Sequence, residues 1–311
     1  IAMGLKSHKQ TGPIKIDIAG IFTMILGVVS LLLALTFGGK DYPWDSWQII
    51  GLFALAVIGI VGFIIVETKA EEPILPMHFF KNRTFTLLNA IGFFMSIGMF
   101  GAIMFVPFFM QGIVGVSAAE SGTIMTPMMI TMIVMSIIGG QLVLKVGVKP
   151  QIITGMLIMA GGFWLLTTMD MHTTKLTATF YMSIIGLGMG LVMPTLTLAL
   201  QESFPKKDLG VVTSSSQFFR QIGGTFGITI LGSIMNNTSG TTLTNKLVPV
   251  LDTFPKEAGQ MVTKFKDMIQ TDPQGLYSML FSPEALKQMP EAFANSIVPI
   301  LKNSLVDSLH T

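Results

Sequence analysis

Seven runs of about twenty apolar residues limit what this chain can become more than any other feature. They lie near 18–37, 47–66, 86–110, 122–144, 151–169, 178–200 and 211–235. A helix of about twenty residues spans the hydrocarbon of a bilayer. A backbone in lipid must also satisfy its own polar groups, so each run is expected to be a membrane-crossing helix. Strand-like alternation is absent, which argues against a β-barrel. Only 12% of the 311 residues are charged, against roughly 25% in soluble domains. So few charges cannot cover a water-facing surface of this size. The fold class expected is all-α, a polytopic membrane helix bundle.

The connections between the runs test that reading. Lysine and arginine are retained on the cytoplasmic side of membrane proteins. Segments 6–15, 67–85, 145–150 and 201–210 together hold ten of them, and the alternate segments 38–46, 111–121 and 170–177 hold two. The expectation is therefore a multi-pass protein of the cell membrane, with its N-terminus cytoplasmic and residues 236–311 extracytoplasmic. Trp44 and Trp47 flank an outer loop, where interfacial aromatics are expected. The basic opening stretch (Lys6, His8, Lys9, Lys15) is not followed by a short apolar core and cleavage site, so it is not read as a signal peptide. Because residue 1 is Ile, the start of the gene product is expected upstream.

Four parts follow. Residues 1–69 form an entry segment and two helices. Residues 70–85, with Pro73, Pro76, Phe79 and Phe80, form an amphipathic cytoplasmic linker. Residues 86–235 form five helices. Residues 236–311 form an outer tail without a span, opening on a polar turn (Asn236, Asn237, Thr238, Ser239, Gly240) and punctuated by Pro249, Pro255, Pro273, Pro283, Pro290 and Pro299. Small helices on the outer face are expected there.

Several chemistries are excluded. There are no cysteines, hence no disulfides or thiolate sites. His8, His78, His172 and His310 stand apart from one another, in loops or at ends, so no metal site is expected. No nucleophile–base set, phosphate loop or in-membrane carboxylate pair is visible, so neither an enzyme nor a cofactor is expected. The net charge of +2 suggests no nucleic-acid partner. Transport is favoured over catalysis.

The last run carries the strongest signal of mechanism. Helical spacing puts Thr213, Gln217, Arg220, Gly224 and Gly227 on one stripe, and Phe219, Phe226 and Ile230 opposite. The polar stripe is expected inside the bundle and the apolar side in lipid. Arg220 lies roughly 15 Å into the span at 1.5 Å per residue. An arginine at such depth costs on the order of 3 kcal/mol, so it pairs or lines a wet cavity. Two readings stay open: a place in the translocation pathway with Gln217 and Gln221, or a structural contact. Asn89, Gln141 and Thr195 are polar residues inside spans, read as interhelical hydrogen bonds or pathway ligands. Gly186-x-x-x-Gly190 and Gly223-x-x-x-Gly227 permit close helix contact, and Pro107, Pro127 and Pro194 lie within spans. Met and Phe crowd the third and fourth runs. Met95, Met99, Phe105, Met128 and Met132 are candidate linings of an adaptable pocket, or plain packing.

The sequence Gly140-Gln141-Leu142-Val143-Leu144-Lys145-Val146-Gly147-Val148-Lys149 resembles the cytoplasmic-loop signature of the major facilitator superfamily. Leu144 replaces its aspartate, and its Arg-Lys pair is reduced to Lys149. Gly140, Lys145, Gly147 and Lys149 carry the likeness. Residues 73–85 resemble the linker before the C-terminal bundle of the fourteen-helix drug:proton antiporters. Leu33–Gly39 with Tyr42-Pro43-Trp44 is similar to their central outer loop, and Arg220–Gly227 to their penultimate helix. The resemblance covers about residues 12–235 and implies helices seven to thirteen of such a transporter. It implies export of drugs or toxic amphiphiles in exchange for protons, with the missing N-terminal helices as partner and the coupling acid among them. The alternatives are an exporter of one metabolite or peptide, and a non-transporting scaffold or sensor that binds through its tail.

Overall fold

The computed structural model describes residues 17–38, 41–70, 73–254, 259–271, 273–280 and 291–309. The basic segment 6–15, Gly39, Lys40, Pro255, Pro283, Pro290 and His310 lie outside the described residues. Within them the chain is helical, with one isolated bridge between Gly38 and Tyr42.

Seven long helices follow the seven apolar runs: α1 (Ile18–Phe37), α2 (Trp47–Glu67), α3 (Arg83–Phe109), α4 (Ala118–Val146), α5 (Val148–Leu166), α6 (Lys175–Glu202) and α7 (Leu209–Lys246). Their starts are written in the sequence. The side chain of Asp17 accepts the N–H of Gly20 at 2.7 Å. Asn82 accepts the N–H of Thr84 at 2.9 Å, and Ser117 and Glu120 form a reciprocal capping box. Such side chains satisfy the orphan donors of a first turn. The connection between α4 and α5 is shorter than expected. Gly147 alone separates them, at φ 84°, a conformation that glycine adopts at no steric cost.

The first six of these helices are long and apolar enough to cross a membrane, and α7 is the exception. It covers the seventh run, but its polar stripe makes it less apolar. It also runs on to Lys246 without interruption, so the turn expected at 236–240 is helical. Leu243, on the extension, is fully buried, and burying it against the tail stabilises the helix past its polar residues.

The long helices pack as pairs: α1 on α2, α3 on α7, and α4 and α5 both on α6. Glycines sit at the crossings. A Cβ on Gly186 would fall inside contact distance of the Met128 carbonyl, and one on Gly190 would meet the Met132 carbonyl at 2.5 Å. Gly223 and Gly227 meet Phe93 and Ile97 of α3 in the same way. Both glycine pairs singled out in the sequence therefore lie at close contacts. A buried polar joint completes the α4–α5–α6 unit. The Nε2 of Gln151 donates to Gly139 O at 2.7 Å and Thr195 Oγ1 at 2.8 Å, and is 3.3 Å from Leu191 O. The interhelical bond expected of Gln141 is made by Gln151 instead, and Gln141 is exposed.

The linker is fastened to the bundle. Its single turn of 3-10 helix (Met77–Lys81) buries Phe79 against Phe85 and Phe204, at ring separations of 5.6 and 4.8 Å. The Glu67 carboxylate, at the end of α2, accepts the N–H groups of Ile74 and Leu75, both at 3.2 Å. The tail forms α8 (Val248–Leu251), α9 (Gly259–Thr271), α10 (Pro273–Leu280) and α11 (Glu291–Leu309). It docks on α7 and on the π-helical turn Met110–Val114 that ends α3. Lys302 Nζ donates to Ile113 O at 3.0 Å, and Lys246 pairs with Asp307 at 2.6 Å.

The crossings give a paired test. Gly186→Ala forces α4 and α6 apart and is expected to cost about 1–3 kcal/mol, as overpacking does. Gly140→Ala meets nothing within 4 Å and is expected to be neutral or stabilising by up to about 1 kcal/mol through helix propensity. Thermal unfolding of the detergent-solubilised protein checks both: equal melting temperatures for the two variants would contradict the packing.

Candidate functional site

α7 has two unlike faces beside its contact with α3. On one, Gln217 and Gln221 are exposed and Arg220 is half-buried. The guanidinium donates from Nη2 to Gln217 Oε1. No carboxylate pairs with Arg220 among the described residues. Its stem lies on Gly92 of α3, where a Cβ would come within 3.2 Å of Arg220 Cγ. A Cβ at 92 would make a tight contact with the arginine stem. Thr225 continues the face one turn on, its hydroxyl turned back to Gln221 O at 3.0 Å. The result is a half-buried cation and two exposed carboxamides on one helix face, with no carboxylate partner among the described residues.

On the other face, Phe219 and Phe226 were expected to meet lipid. They are half-buried instead, because α1 and α2 lean over them. With Phe218 and Ile222 they form one wall of a cleft of about 660 Å³ between the α1–α2 hairpin and the α3–α7 pair. Phe219 meets Phe80 of the linker edge-on at 5.9 Å, and Phe226 meets Phe93 of α3 at 5.9 Å. Ile230, the third residue of that side, is exposed as expected.

The other residues singled out in the sequence go to separate places. Asn89 is buried on α3 and borders the cleft. Thr195 is fully buried in the Gln151 joint, its hydroxyl donating to Leu191 O at 2.7 Å. That position is structural. Met95 and Met128 are core residues, and Met99, Phe105 and Met132 are half-buried against them. Phe105 borders a second cavity, of about 310 Å³, between α3, α5 and α7 near Met169 and Met235. In the loop signature, Gly147 carries the turn, while Lys145 and Lys149 are exposed and Gly140 stands in open space. The close approach falls to the adjacent Gly139, which faces Gly190 O.

Gln151 and Gly92 escaped the sequence reading. Gln151 lies at the start of its run, where a polar residue reads as interface. Gly92 matters only through a residue on another helix. The α1–α2 wall of the cleft was hidden because every residue of it reads as lipid-facing.

A sequence profile of the Major Facilitator Superfamily matches residues 18–228, from the start of α1 through the Arg220 face of α7. Over 311 residues the chain is 75% identical to "Multidrug transporter protein MdtP" of Bacillus subtilis, covering 100% of this chain and 58% of that protein. It is 33% identical over 301 residues to "Multidrug resistance protein 3" of the same species, covering 97% of this chain and 56% of the relative. It is 32% identical over 221 residues to "Tetracycline resistance determinant" of Streptomyces rimosus, covering 70% and 63%. The chain thus spans 58% and 56% of the length of the first two. A profile match over more than half the chain, together with the multi-pass helical fold, shows that this chain belongs to the Major Facilitator Superfamily of membrane transporters.

Proposed function

We propose that this chain is the central hairpin and most of the C-terminal bundle of an exporter of drugs or other amphiphiles, driven by proton exchange. In this reading α1 and α2 are the two extra central helices of a fourteen-helix transporter, and α3–α7 are the first five helices of its C-terminal bundle. The observation that carries it is the open polar face of α7. A charged group at mid-span is unfavourable in lipid, and here it lacks a carboxylate partner. The face is satisfied if it borders a wet pathway between two bundles that rock about a midplane site. The names of the relatives point the same way: a multidrug transporter, a multidrug resistance protein and a tetracycline resistance determinant.

Arg220, Gln217 and Gln221 are assigned to the pathway. The proton-coupling acid is assigned to helices outside this chain. Of the carboxylates nearest the spans, Glu67 fastens the linker. Glu120 pairs with Lys175 at the exposed ends of α4 and α6, and Asp17 caps α1.

Two experiments test the reading. In the full-length protein, Arg220→Ala is expected to cut proton-driven dye efflux at least about tenfold, the equivalent of roughly 1.4 kcal/mol. Arg220→Lys retains charge but not the planar fork, and is expected to fall between. Unchanged efflux with unchanged pH dependence in Arg220→Ala would sink the assignment. Topology is tested separately. The chain has no cysteine, so single cysteines report cleanly. Lys149→Cys is expected to react with an impermeant maleimide only in inside-out vesicles, and Asn303→Cys only from the outside. The reverse pattern overturns the orientation.

A further inference from the structure

A residue that borders the cleft between the α1–α2 hairpin and the α3–α7 pair carries an unused polar atom. Asn89 is 4% exposed. Its Nδ2 donates to Phe85 O at 2.8 Å, which fixes the orientation of the amide, since a carbonyl can only accept. Its Oδ1 is left buried and without a partner. A buried acceptor with nothing to accept costs about 1–3 kcal/mol, and such groups are rare in native proteins. The cleft it borders is otherwise apolar and aromatic, with Phe93, Phe94, Phe218, Phe219 and Phe226 on its walls. Thr86, the other polar residue there, already donates its hydroxyl to Phe80 O at 2.9 Å. Among the described residues, no charged one lines the space. At about 660 Å³, it falls within the roughly 300–1,000 Å³ of ligand sites.

These features define a ligand. It is long and apolar, because the walls offer dispersion and little else. It is neutral, because a cation would find no carboxylate and an anion no basic group. It carries one hydroxyl or N–H donor at the depth of Asn89. We infer that the cleft binds a neutral, single-donor amphiphile drawn from the bilayer, with its donor on Asn89 Oδ1 and its chain along the phenylalanine wall. The site lies on the opposite side of α7 from Arg220, so the inference does not rest on the exporter reading. It describes binding at the flank of the bundle, not a step in transport.

The test uses the intact protein in phosphatidylcholine nanodiscs with a hexadecanol that carries a mid-chain diazirine. Photolabelling mapped by mass spectrometry is expected on α3 and α7 around Phe93, Phe94, Phe218 and Phe219. Unlabelled hexadecanol should compete and hexadecane should not. Asn89→Leu is expected to weaken saturable labelling by the alcohol about tenfold, the worth of one buried hydrogen bond, and to erase the preference for alcohol over alkane. Ala90→Phe fills the cleft while leaving Asn89 in place, and is expected to abolish labelling there. It carries the test alone if Asn89→Leu does not fold. Competition by dioleoylglycerol as well as by hexadecanol assigns the occupant to membrane lipids, and competition by hexadecanol alone to free amphiphiles. Labelling that is unsaturable and spread over lipid-facing positions such as Ile133 and Ile137 overturns the inference, as does an alcohol preference that survives both substitutions.

Discussion

Lipid gives one apolar helix no reason to leave it for another, so everything in this bundle depends on backbones that approach closely enough to attract. Dispersion falls off steeply with a small gap. Close approach therefore needs residues without side chains at the crossings. Gly186 and Gly190 provide this where α6 meets α4, as do Gly188 and Gly155 where α6 meets α5. Because α6 serves both neighbours, it is the most buried of the apolar spans. The Gln151 joint then fixes the register of the three helices at one depth. A slide of any one of them would break bonds to Gly139 O or Thr195.

Pairing also decides what is left uncovered. α7 spends its glycine face on α3, through Gly223 and Gly227. Its remaining circumference is divided between a phenylalanine side, which α1 and α2 shelter, and the side of Arg220. The second is only partly covered: Gln217 and Gln221 are exposed and Arg220 is half-buried. A helix tight on one neighbour, with a cation at the edge of that contact, is well suited to present the charge to a changing environment, because its own position need not move. The docked tail adds to that rigidity, since α7 continues into it without a break and Leu243, Leu247 and Leu251 are buried there.

Much of this was readable in the sequence, for identifiable reasons. Run length and loop charge are strong signals because lipid is an unforgiving solvent, and every long helix lies where an apolar run predicts it. The glycine pairs were legible because four-residue spacing marks one helix face. Other features depended on partners distant in the chain. Gln151 and Gln141 are the same residue type near the same membrane edge, and only the position of Gly139 tells which one is buried. Phe219 and Phe226 carry no mark that separates lipid from the underside of a hairpin. The extension of α7 through Asn236–Gly240 runs against local propensity. Its support comes from burial of residues that follow in sequence, and from tail helices further on.

The two polar features of α3 and α7 differ in kind, and the difference bears on how a membrane protein handles polarity. Asn89 is enclosed, neutral and half-satisfied, so its surroundings ask for one donor. Arg220 is half-open and charged, with a carboxamide partner whose dipole offsets only part of the cost of leaving water. A single hydrogen bond would complete the first, but the second needs either continuous solvent or a counter-charge from elsewhere. Gly92 gives the arginine stem a close neighbour: a Cβ there would stand 3.2 Å from Arg220 Cγ, so the stem packs on α3 while the guanidinium reaches Gln217. An arginine that merely snorkelled would need no such neighbour, since its stem would run along the helix toward the interface. Packing of the stem on Gly92 is the feature that distinguishes Arg220 from such a residue.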